Sequence, residues 1–127
     1  MMSKRHLAAS REGKVDRNEK KRLRERIGEQ LDLSGVRLTD DEAVFLSDFI
    51  DEYDEKYRGR RETRTRSYPG WSSDGKYVRT EKVTDTFTDE VGIRTDQEYW
   101  DDDGHSGQST HYIKDARGIL NWFKERG

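Results

Sequence analysis

The chain has 127 residues, 41 % of them charged and only 29 % hydrophobic, with a formal net charge of −2 and no cysteine. That length holds one domain with a small core. The missing cysteine excludes a disulfide framework and any thiolate metal site, and no apolar run nears the roughly 20 residues that a membrane-spanning helix needs.

Leu, Ile, Val and Phe make up about 17 % of the chain, a level at which disorder has to be considered. The near-neutral net charge and the 3 Trp, 6 Tyr and 4 Phe argue for a compact unit with a loose end. Residues 1–14 are small, polar and basic without periodicity, and residues 1–20 hold no signal-peptide core. The expected layout is a flexible basic tail, 1–14, ahead of a single α+β domain, 15–127, in a soluble cytoplasmic protein.

From Asp16 to Leu31, apolar residues fall at Leu23, Ile27 and Leu31, a narrow stripe on a charged helix, with Asp16–Lys20 and Glu19–Arg22 as supporting pairs. So thin a stripe packs either on the next helix or on another copy of itself. Ser34-Gly35 breaks the connector. The stretch Leu38–Arg58 then gives the most complete helix: Ala43, Leu46, Ile50, Tyr53 and Tyr57 share a face, widened by Phe45 and Phe49. Thr39 and Glu42 form a capping box behind Leu38, and Gly59 can stop the helix.

Beyond Gly59 the pattern turns to β. Thr63 and Thr65 alternate with Arg64 and Arg66. Tyr68-Pro69-Gly70-Trp71 reads as a type II turn, and Asp74-Gly75 is a second turn signal. Tyr77 to Thr88 is a long strand with Val83 and Phe87 on one face and Thr80, Lys82, Thr84, Thr86 and Thr88 on the other. Asp89-Glu90 turns the chain, Val91 to Asp101 returns with Val91, Ile93 and Tyr99 aligned, and Asp103-Gly104 is the strongest hairpin dipeptide. Ser109 to Ile113 makes the last strand. Asp115 opens a terminal helix bearing Ile119, Leu120, Trp122 and Phe123. The expected fold is α+β, with two N-terminal helices, a three- or four-stranded antiparallel sheet and one C-terminal helix. The helices cover an apolar sheet face of Val83, Phe87, Val91, Ile93, Tyr99 and Ile113.

Charge is laid out in blocks: residues 1–31 carry a net +5, 32–57 a net −7, 58–82 a net +5 and 83–127 a net −5. Such blocks pair within a fold or face an ionic partner. Asp101, Asp102, Asp103, His105 and His111 bring oxygen and nitrogen donors round a tight turn, but their spacing fits no calcium loop, so no metal or cofactor is expected. There is no nucleophile elbow and no Gly-rich phosphate loop before a helix, so an enzyme is not expected either.

The richest constellation is 58–71. Arg58, Arg60, Arg61, Arg64 and Arg66 fall within nine residues, followed by Tyr68 and Trp71 on the predicted loop. On an extended chain Arg60, Arg64 and Arg66 share a side. Arginine beside exposed aromatics suits phosphates and unstacked bases; alternatively, these arginines pair with Asp48, Asp51, Asp54 and Glu55. The expected function is a non-enzymatic binding or regulatory protein that engages nucleic acid, or a nucleic-acid-associated protein, through 58–71, with no membrane partner. Two other readings stand beside it. One is self-assembly through Leu23, Ile27 and Leu31. The other is inhibition of a protein partner by the acidic helix face of Asp48, Asp51, Glu52, Asp54 and Glu55.

Overall fold

Capping side chains and apolar residues at helical spacing organise the N-terminal half. The structure, a computed structural model, describes residues 16–73 and 75–126; the expected tail, residues 1–14, lies outside the described residues, as does Asp74 of the second turn signal. Helix α1 runs Arg17–Gln30, and the Asp16 side chain caps it by accepting from the Glu19 amide at 2.8 Å. Lys20 reaches Asp40 at 3.2 Å instead of its expected partner Asp16, and Arg26 pairs with Asp51. The narrow stripe is used inside the chain: Ile27 and Leu31 are buried in the core, and Leu23 packs against it.

Helix α2, Asp40–Asp51, opens with the capping box. Thr39 Oγ1 accepts from the Glu42 amide at 3.1 Å, and the Thr39 amide donates to the Glu42 carboxylate at 2.9 Å. The α-helical winding expected as far as Arg58 ends at Asp51; Tyr53–Tyr57 instead form a π-helical turn, closed by the Arg58 amide on Tyr53 O at 2.8 Å. Tyr53 and Tyr57 stay on the inner side, so apolar spacing does not reveal the change. The Tyr53 hydroxyl lies 2.6 Å from Thr88 O, 2.9 Å from Gly92 O and 3.2 Å from Glu90 O, clasping the turn after Phe87. Gly59, at φ +80°, ends the turn.

Four strands follow: β1 (Arg61–Ser72), β2 (Gly75–Phe87), β3 (Ile93–Asp101) and β4 (Ser106–Ile113), an antiparallel meander in chain order. Tyr68-Pro69-Gly70-Trp71 is not a turn. Strand β1 runs straight through it, with Pro69 opposite Val78 and Gly70 opposite Tyr77. An edge strand tolerates a residue without an amide proton, and the reversal comes later, where Ser72 pairs with Gly75. Gly70 serves close approach instead: a Cβ there would overlap the Tyr77 ring, and Gly107 is covered in the same way by Tyr99.

Helix α3, Ala116–Arg126, begins with the Asp115 carboxylate accepting from the Gly118 amide at 2.9 Å. With α2 it covers one face of the sheet, where Phe87, Val91 and Ile93 join Ile119, Leu120 and Trp122 in the core. Val83 and Tyr99, further along that face, are only half-buried. The sheet therefore extends past its helices. The other face carries Thr63, Thr65, Thr80, Thr84, Thr86 and Thr110, with no helix on it among the described residues. This is a two-layer α+β fold, and among the described residues no helix is long and apolar enough to cross a membrane.

Candidate nucleic-acid interface

Strand register divides the arginine segment between the two faces. Arg64 lies opposite Val83, Arg66 opposite Glu81 and Tyr68 opposite Arg79, so these side chains join the inner face; Arg61 and Trp71, at odd positions, stand on the open one. The inner arginines meet acids of β2 and not those of the acidic helix. Arg64 donates to Asp85 at 3.3 Å and Arg66 to Glu81 at 3.1 Å. The Tyr68 hydroxyl donates to the same Glu81 at 2.6 Å. That hydroxyl first, and Arg66 with it, hold the Glu81 carboxyl below its ordinary range against the burial that pushes it up; the Tyr68 phenol is raised in return. Arg60 donates to Lys56 O at 2.9 Å, and Arg58 pairs with Asp54. Arg79 lies over the rings of Tyr99 at 4.5 Å and Tyr77 at 5.5 Å.

Asp85 ties this face together. It sits in the apolar row between Val83 and Phe87, almost fully buried. It accepts from Arg126 at 2.6 Å, Thr95 Oγ1 at 2.7 Å and Trp122 Nε1 at 3.1 Å besides Arg64. Three of these donors converge on Oδ2 and Thr95 takes Oδ1, so Asp85 ties β1, β3 and α3 together. Arg126 also stacks over Trp122 at 3.8 Å and donates to Glu62 at 2.9 Å. Beside it a cavity of about 380 Å³ opens between α3 and the sheet, lined by Arg64, Gln97, His111, Asn121 and Glu125 among others.

The open face is chemically different. Trp71 is 75 % exposed, Tyr112 57 %, Val78 48 % and Trp100 43 %. Between them stand Arg61, Lys76, Lys82 and Arg94, the last paired with Asp96 at 3.2 Å, with Glu98 opposite Lys82, and a set of hydroxyl rungs, with Thr63 and Thr84 at 3.2 Å and Ser67 and Thr80 at 2.9 Å. Lys76 lies 6.0 Å from the Trp71 ring. Trp100 and Tyr112 were not among the sequence candidates. Strand parity would have found them, since they alternate with the buried Ile93 and half-buried Ile113.

The remaining candidates are accounted for locally. On the acidic side of α2 and the π turn, Asp51 pairs with Arg26, Glu52 with Lys56 at 3.2 Å and Asp54 with Arg58; Asp48 is half-buried and Glu55 exposed. Asp101 accepts from the His105 amide at 2.9 Å and the Asp103 amide at 3.0 Å. Burial raises its carboxyl, but those amides and nearby positive charge bring it below the ordinary value. Asp102 accepts from the Val78 amide, and His111 lies across the sheet opposite Thr95. Among the described residues no three His, Cys, Asp or Glu side chains gather as a metal site. Compared with protein-family models, curated proteins and solved structures, the chain matches none.

Proposed function

We propose that the protein is a non-enzymatic binding module whose open sheet face engages single-stranded nucleic acid. The observation that carries this reading is the exposure of Trp71, Trp100 and Tyr112 on a sheet face that no helix covers among the described residues, interleaved with Arg61, Lys76 and Lys82. A flat sheet holds exposed rings ready for splayed-out bases, and each stacked base is worth about 1–3 kcal/mol. Arg61 at the β1 margin, exposed on the same face, extends the attraction along a phosphate chain. The acidic side of α2 offers a basic partner less, because Asp51, Glu52 and Asp54 are already paired.

Titration with single-stranded oligonucleotides, followed by quenching of the exposed indoles, tests the reading. Affinity should fall with salt at a slope of about −0.7 per contacted phosphate. Trp100→Ala should cost about 1–3 kcal/mol of binding while leaving the melting temperature unchanged. Absence of binding at low salt, or binding indifferent to both Trp71→Ala and Trp100→Ala, would overturn it.

A further inference from the structure

The two edges of the sheet are built differently. Strand β1 carries Arg61, Glu62, Arg64, Arg66 and Pro69, the charges and proline that keep an edge from pairing with another chain. Strand β4, SGQSTHYI, has no Lys, Arg, Asp, Glu or Pro in eight residues. Among the described residues it pairs only with β3, and six of its eight residues are exposed. Its outer backbone groups from Ser106 to Ile113 form an unguarded template, and beyond them Asp32 bridges Asp115, its amide donating to Lys114 O at 2.9 Å.

We infer that β4 is a self-pairing edge, joining antiparallel to β4 of a second copy of this chain to make one continuous eight-stranded sheet. Charge at the strand ends selects both the occupant and the direction. The exposed Asp103 precedes β4, next to Asp102, which the Val78 amide already engages, and the exposed Lys114 follows β4. Antiparallel pairing about a two-fold axis brings the acidic end of each copy beside Lys114 of the other, twice per dimer; parallel pairing would set acid against acid. The acids near Lys114 are already engaged, Asp115 by the Gly118 amide and Asp32 by the Ser34 amide. An uncharged strand also brings no like-charge pair onto its own image, whereas β1 would set arginine against arginine. The two-fold keeps open face beside open face, so the joined platform would be twice as wide.

Sedimentation of the full chain over a wide concentration range tests the inference. The wild type should pass from monomer to dimer, with no larger species, because pairing β4 to β4 closes the assembly. Ser109→Lys places like charges across the two-fold and should raise the dissociation constant by about tenfold or more; Ser109→Glu should do the same. An equimolar mixture of the two variants should dimerise again, a rescue that a folding defect cannot produce. Thr65→Lys on β1 should leave association unchanged. A wild type that stays monomeric at every concentration overturns the inference. So does a dimer indifferent to both Ser109 variants, a mixture that fails to associate, or a dimer lost on deleting residues 1–14.

Discussion

Asp85 shows what a single residue carries. Asparagine in its place keeps the shape, but it loses the charge that holds Arg126 and Arg64 and turns an amide toward donors. Asp85→Asn should cost about 3 kcal/mol, the low end for breaking a buried pair because Arg126 keeps Glu62. Glu62→Gln, at an exposed pair, should cost less than about 1 kcal/mol. Urea unfolding of both checks the contrast, and equal losses would remove Asp85 from its central place. Glu42 provides the pH test. The Arg117 guanidinium, bonded at 2.9 Å, lowers its carboxyl from 4.5 to about 2 against the burial that raises it. A carboxyl depressed in the fold contributes stability that is fully present above about pH 4.5 and is lost as pH falls through about 2. Glu42→Gln keeps the capping box and should flatten the acid limb of the stability curve in that window. Asp85 was not among the sequence candidates, although it falls between Val83 and Phe87 in the alternation of β2. What could not be read was its donors, because Thr95, Trp122 and Arg126 come from elements far away in sequence.

At the scale of elements, the helices were legible where a local device made them. Thr39 with Glu42, and Gly59, act within a few residues of themselves, and the structure has both, whereas Asp16, expected as a partner of Lys20, caps α1 instead. Thr39→Ala should therefore cost about 1 kcal/mol. The π turn and the unbroken β1 were illegible for one reason: a partner distant in sequence decides each. Tyr53 winds toward carbonyls of the turn after β2, and Pro69 continues a strand because β2 lies on one side of it and no described strand on the other. Ring packing ranks the aromatic residues. Phe49 is buried against Tyr53, Tyr57, Phe87 and Phe123, so Phe49→Ala should cost about 3–5 kcal/mol. Phe123 is half-exposed at the rim of that cluster and should cost clearly less. A thermal melt of the two variants gives the order directly, and the reverse order would misplace the core.

For the whole molecule, the two-layer plan was legible because strands alternate and helices carry stripes. The division of the arginine segment between two faces was not, because it depends on β1 running on past Pro69 and on its register with β2. The same register leaves the sheet longer than the helices that cover it, with apolar cover only near Phe87, Ile93 and Ile113. The uncovered end is held by strand pairing and by tyrosine rings lying on glycines. Such a sheet behaves as a cantilever. Amide protons near the covered root should exchange with deuterium only when the whole domain opens, and those toward the tip through local fraying. Because the chain doubles back three times, protection should fall along β1, rise along β2, fall along β3 and rise again along β4. A flat profile would instead mean that the tyrosine–glycine clasps hold the tip as firmly as the aromatic core holds the root.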